Sequence, residues 1–289
     1  MGFAFIEKEK DRADHLRTVL ARRFQPESLR PGLSYTVYNG EFEAVFNEAI
    51  DDIERRGTRL APTLAFLDPF GFTGFPMRSV QRLLSFPKCE VLITFMDGFA
   101  KRFLDELRAE ALTDLFGTDD WRRAQPLQGD ARTDSLVELY DQQLRSQAGA
   151  RFVRSFEMRD GNDRVIYHLF FATRHPEGLR QMKEAMWTVD RRGFYRFSDV
   201  TGSHQRFLLD YLEDQTPQWV DAAGGMVYER FRGQDVPAPA VKTFVWLETP
   251  YVFRSRILVP LEKDGRIAEV IGRGRGGGYG DGCTIRFRA

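Results

Sequence analysis

Four short apolar runs, each followed by a segment with helical periodicity, constrain the fold of this chain more than any other feature of its sequence. Phe3–Ile6 is closed by Glu7-Lys8-Glu9, after which Ala13, Leu16, Leu20 and Phe24 recur on one helical face. Leu33–Tyr38 ends in Asn39-Gly40-Glu41-Phe42, and Phe42, Val45, Phe46, Ala49, Ile50 and Ile53 carry a second helix up to Gly57. Thr63–Leu67 is the third run and Cys89–Phe95 the fourth, with Val80, Leu83 and Leu84 on a helix between them. Parallel strands need a crossover of a dozen or more residues, and a helix is the usual one, so this alternation predicts an α/β fold with a doubly wound parallel sheet. Thr63–Leu67 is apolar throughout and reads as a strand buried on both faces.

Beyond the fourth strand the pattern changes. Residues 100–145 or so form a charged helical insert or lid, with Phe103, Leu107, Leu112, Leu115, Phe116 and Trp121 as its buried set. Arg151–Arg159 and Val165–Thr173 flank Asp160-Gly161-Asn162-Asp163, whose Asp-Gly signals a hairpin, so an antiparallel pair closes the edge of the sheet. Gly178–Trp187 is a helix with Leu179, Met182, Met186 and Trp187 facing the core. After Phe197 small helices dominate: Gln205–Leu212, Gln218–Phe231, a break at Pro237-Ala238-Pro239, then Val241–Glu248, then Arg254–Lys263 carrying Ile257, Leu258 and Leu261. Two strands, Arg266–Ile271 and Cys283–Phe287, flank a glycine-rich loop, which gives the outline of a winged helix-turn-helix. The expected organisation is a Rossmann-like domain over residues 1–200 and a winged-helix domain over 201–289.

With Lys plus Arg equal to Asp plus Glu at 42 each, no global field draws the chain to nucleic acid or an anionic membrane. Two cysteines, Cys89 and Cys283, support neither a disulfide framework nor a zinc knuckle. His15, His168, His175 and His204 lack paired ligand spacing, His168 reads as a core imidazole, and no metal site is expected. Cys89 sits in a strand-like run and no Gly-x-Ser-x-Gly elbow occurs, so neither a cysteine nor a serine nucleophile is supported. The absence of a run near ~18 apolar residues, and of a basic then hydrophobic start, gives the expectation of a soluble, cytoplasmic protein that does not enter a membrane.

Chemistry concentrates at the predicted strand ends, because ligands of open α/β sheets sit outside the carboxyl ends of the strands. Glu7 is placed to accept both hydroxyls of a ribose, since a carboxylate has two oxygens to offer a diol. Asp68-Pro69-Phe70-Gly71 is a partial analogue of the acidic-Pro-Pro-aromatic loop of amino methyltransferases. In that loop a polar side chain and a backbone carbonyl accept hydrogens from the target amine and the aromatic stacks on its ring. Here Phe70 stands at the second proline. The competing structural readings are that Asp68 caps a following helix while Pro-Phe-Gly makes the turn, and that Glu7 is a solvated helix start. The strand and glycine-rich turn that open a nucleotide-binding fold are not found before Phe3, so the expected sheet lacks its first, central strand, and the chain is truncated or its cofactor site altered. In the last fifty residues nine basic side chains face five acidic ones. Arg273 and Arg275, in the glycine-rich wing, are candidates to lie along a DNA or RNA backbone, and a protein-binding or merely structural wing is the alternative. A phosphate-cradling loop is not expected at this glycine-rich stretch, because that motif needs a strand before it, a helix after it and a Lys-Ser or Lys-Thr pair.

Phe66–Gly71, Phe116-Gly117-Thr118-Asp119 with Trp121, Val165–Leu169 with Thr173-Arg174-His175-Pro176, Met182–Trp187 and the tail Leu258–Ile271 together resemble the three-Cys-motif partner proteins. The resemblance spans nearly the whole chain. It implies a class I methyltransferase-like body using S-adenosylmethionine, with an antiparallel hairpin at the sheet edge and a C-terminal winged helix. It also implies a separately encoded partner that bears the three cysteines. By the same resemblance Glu7 takes the ribose, Glu41 and Phe42 lie near the adenine, and Asp68, Pro69 and Phe70 meet the substrate amine.

Overall fold

A computed structural model describes residues 1–24, 31–69, 75–96, 98, 104–160, 162, 164–190, 196–198, 216–274 and 277–289. The chain divides into two compact units, Met1–Ala61 and Pro62–Ala289.

The first unit is a β-α-β-α run: β1 (Gly2–Glu7), α1 (Lys10–Arg23), β2 (Ser34–Asn39) and α2 (Phe42–Arg55). The helical crossover makes β1 and β2 parallel, in register from Gly2 opposite Ser34 to Glu7 opposite Asn39. Ala13 and Leu20 of α1 and Phe46 and Ile50 of α2 are the buried residues of the two helices, each set on one helical face. Beyond α2, Gly57 takes a positive φ of 59°, the left-handed conformation that stops a helix at little cost for glycine.

The second unit carries β3 (Thr63–Leu67), α3 (Met77–Ser85), β4 (Cys89–Phe95), α4 (Ala109–Phe116), α5 (Gly129–Ser146), β5 (Phe152–Arg159), β6 (Val165–Thr173), α6 (Pro176–Val189) and β7 (Arg196–Ser198). Its sheet runs β3-β4-β6-β5-β7. β3 and β4 are parallel, β6 is antiparallel to both β4 and β5, and β7 is parallel to β5. The β5–β6 turn forms where the sequence places it, with Asp160 Oδ1 accepting from the Asn162 and Arg164 amides at 2.8 and 3.0 Å. The expected hairpin is therefore present, but its second strand lies inside the sheet, between β4 and β5. The described strands form three sheets in all, so β1 and β2 do not share one with β3.

On one face of the five-stranded sheet Phe95 meets Tyr140 at 4.7 Å and Phe170 at 5.8 Å, and Phe116 closes the cluster edge-on. Helices α4 and α5 pack against α3, and α5 also against β5, so the helical insert is a layer over the sheet. The other face is covered over β5 and β6 by α6, around Phe156, Phe171 and Met186.

Two burial expectations are corrected. β3 is not buried on both faces: Leu64 and Phe66 are 57% and 59% exposed while Leu67 is buried, because β3 is the edge strand of its sheet and has a neighbouring strand, β4, on one side alone. Leu107 is 94% exposed, because it falls in a three-residue 3-10 turn, Glu106–Arg108, that has no continuous helical face. Leu112, Leu115, Phe116 and Trp121 are buried as expected. Phe103 and the helix expected at Gln205–Leu212 lie outside the described residues.

Six more elements of the unit lie among the described residues: α7 (Thr216–Phe231), β8 (Asp235–Pro237), α8 (Ala238–Glu248), α9 (Leu258–Lys263, preceded by a 3-10 turn at Ser255–Ile257) and the antiparallel strands β9 (Ile267–Ile271) and β10 (Thr284–Phe287). The sheet order is β8-β10-β9. Ala223, Val227, Val241, Val245, Ile257, Leu258, Leu261 and Ile285 form a closed core for this C-terminal module. Trp187 of α6 joins it, edge-on to Trp219 at 4.8 Å. No described helix is long and apolar enough to cross a membrane.

Candidate functional site

In the first unit the carboxyl ends of β1 and β2 form a compact polar edge. The parallel register sets Glu7 beside Asn39. Asn39 Nδ2 donates to the carbonyls of Glu7 and Lys8 at 3.0 and 2.9 Å, and the Gly40 amide also donates to the Glu7 carbonyl. These bonds tie the two strand ends together and leave the Glu7 side chain to do something else. Its Oε1 accepts from the Glu9 amide at 2.9 Å, and its Oε2 has no partner among the described residues. Glu41, the residue before α2, pairs with Lys8 at 2.7 Å, and this carboxylate raises the Lys8 pKa above its ordinary value. Phe42 stacks on Phe46 at 5.2 Å, which commits one face of its ring to the helix.

The second unit holds the other candidates. Asp68 follows β3 directly, is exposed and has no partner among the described residues. The next described helix, α3, has Pro76 at its N-cap, so Asp68 does not cap it. Pro69 is half-buried; Phe70 lies outside the described residues. The neighbouring end of β4 sets Phe95 opposite His168, whose imidazole is buried. Cys89 is buried at the start of β4, and burial pushes its thiol up to about 11, which makes it a poor nucleophile. Among the described residues no cluster of three or more His, Cys, Asp or Glu has metal-binding geometry.

The basic side chains of the C-terminal module are mostly held by its own acids or the sheet's. Arg273, the wing candidate, donates to Glu262 Oε2 at 2.6 Å and lies 5.1 Å over the Tyr279 ring, while the Tyr279 hydroxyl donates to the same oxygen at 2.6 Å. Arg273 and then Tyr279 hold the Glu262 carboxyl below its usual range. Lys242 pairs with Asp281, Arg254 with Glu184, Arg266 with Asp264, and Arg286 with Asp235 and Glu269. Arg275 lies outside the described residues. A count of charges along the sequence saw the excess and missed this pairing, because the partners stand 2 to 70 residues away in the chain.

Two residues that sequence reasoning passed over prove to be organisers. Asn39 enters the sequence reading as the first residue of the stretch that ends a strand, with no role of its own, and its side chain ties the ends of β1 and β2 together. Lys183 is not among the core positions expected on its helix, and it is fully buried. Compared with models of protein families, with curated proteins and with solved structures, the chain finds no match.

Proposed function

We propose that this chain is a methyltransferase-like protein that binds S-adenosylmethionine at the carboxyl ends of β1 and β2 and directs its methyl group to an amine. The observation that carries the reading is the end of β1, where a carboxylate held through one oxygen keeps the other available. A ribose offers two adjacent hydroxyls as donors, and a fixed carboxylate is the acceptor that suits them. Asn39 orients that edge, and Phe42, stacked on Phe46 at the start of α2, is the aromatic that would lie near an adenine. The finer fold inferred with it is a Rossmann-like body of the class I methyltransferase type. The β5–β6 hairpin at the far side of the β3–β4 pair supports this.

The bound cofactor would supply an already activated methyl group, so the protein has to position an amine and relieve it of its proton. Asp68, exposed at the end of β3 and without a partner among the described residues, would accept a hydrogen from that amine, and Pro69 would fix the turn that presents it. Calorimetric titration with S-adenosylmethionine and S-adenosylhomocysteine tests the reading. Saturable binding by the wild-type chain, lost in Glu7→Ala, is expected; a folded chain that binds neither ligand overturns it.

One observation favours a second reading, in which the protein is a non-catalytic adaptor. The α7-β8-α8-α9-β9-β10 order with sheet order β8-β10-β9 supports a winged helix, and its internally paired arginines suit a protein partner better than a phosphate backbone. A separately encoded cysteine-rich protein is the partner that the sequence resemblance would imply, and co-purification of the two chains distinguishes this from nucleic-acid binding.

A further inference from the structure

The last turn of α8 is completed by side chains from two other elements. A helix leaves its final carbonyls without intrahelical donors and carries a partial negative charge at that end. Lys183 Nζ, on α6, donates to the carbonyls of Val245, Trp246 and Thr249 at 3.0, 2.8 and 2.9 Å. Arg154, on β5, reaches the carbonyls of Leu247 and Thr249, each at 3.4 Å. The Thr249 hydroxyl adds a bond to the Val245 carbonyl at 2.8 Å. Every carbonyl from Val245 to Leu247 thus receives a donor from outside the helix ladder, and two of the three donors come from the sheet body.

Lys183 is fully buried, and burial, followed by the adjacent Arg154 guanidinium, works against its charge. Three acceptors within 3.0 Å need three N–H bonds, however, and a neutral amine has two. The geometry therefore calls for the ammonium. The other charges around it are Glu184 and Arg180 on α6, and Arg254, which forms a two-pronged pair with Glu184 at 2.6 and 2.8 Å. The Trp246 ring lies 5.6 Å from the ammonium.

We propose that Lys183, with Arg154 beside it, is a cationic clamp on the C-terminal end of α8 that makes the C-terminal module and the five-stranded sheet one cooperative body. An ammonium without its carbonyls would be stranded away from water, and the carbonyls without it would be unsatisfied, so neither side opens alone. The consequence is that α9 and the strands β9 and β10 keep one orientation relative to the five-stranded sheet, rather than swinging on a tether.

Hydrogen exchange of the full chain under increasing denaturant tests this. In the wild type, peptides from β5–β6 and from α7–β10 are expected to lose protection at the same denaturant concentration. In Lys183→Met the module is expected to open first, with the amides around Val245–Thr249 losing protection at least tenfold. Separate opening already in the wild type overturns the proposal, as does unchanged joint opening in a folded Lys183→Met. Should that variant not fold, the wild-type exchange result still decides, together with one spectrum of lysine-labelled wild-type protein. A slowly exchanging Nζ signal at an ammonium shift at neutral pH is expected, and a neutral-amine shift overturns the clamp.

Discussion

At the scale of single residues, burial rather than residue type decides which side chains matter. Leu107 and Leu112 look alike in the sequence, five positions apart on what reads as one helical segment, yet one is 94% exposed and the other fully buried. Leu112→Ala is expected to cost about 2–5 kcal/mol of stability and Leu107→Ala less than about 0.5 kcal/mol in the same urea titration. Cys89 makes a similar point with a sign attached. Its thiol is shifted up from 9.0 to about 11 by burial, so the folded state holds that proton through a pH range in which the unfolded chain releases it. Stability is accordingly expected to decline as pH rises past about 9, and a thiol reagent at pH 8 should label neither buried cysteine until denaturant is added. At the proposed amine site, Asp68→Ala is expected to abolish methyl transfer while leaving the far-ultraviolet circular dichroism unchanged. Full turnover in that variant would remove Asp68 from the mechanism.

At the scale of elements, the wing shows how pairing alters what a positive residue can do. Arg273 spends its charge on Glu262, so it meets a phosphate only by giving up that carboxylate. Glu262→Gln is expected to strengthen duplex binding and to steepen its salt dependence by about one unit for the one contact released; an unchanged slope assigns the wing to protein docking. Acid acts on the same pair. The Glu262 carboxyl sits below its ordinary 4.5, so the stabilisation it provides is present above that pH and is lost as pH falls through the lowered value. Strand and helix positions were legible from the sequence because period and punctuation are local: β3 and β4 match the apolar runs residue for residue. What was not legible is neighbourhood. Thr63–Leu67 has the composition of a central strand and lies at an edge, since nothing within five residues of a strand encodes who stands next to it.

At the scale of the molecule, the sequence divides most naturally near residue 200, where strand-rich gives way to helix-rich composition, while the contacts gather Pro62–Ala289 into one unit. The residues that join its two parts were the least readable of all. Lys183 falls on a helix where long charged side chains are ordinarily solvated, and only the three carbonyls contributed by a segment more than sixty residues later give it a reason to be buried. Of the candidate residues, Glu7 and Asp68 each stand at the end of an apolar run, a position that the sequence displays, whereas the Asn39 clamp depends on a strand register that no single segment contains.

The way α8 is finished has a temporal side. During synthesis β5 and α6 leave the ribosome before α8 does, so the donors for its last turn are already in place when that turn forms, and the C-terminal module docks as it folds. A fragment that begins after α6 would lack those donors and is expected to fray at the end of α8. A fragment meant to isolate the wing therefore has to start upstream of Phe152, and it carries β5, β6 and β7 with it.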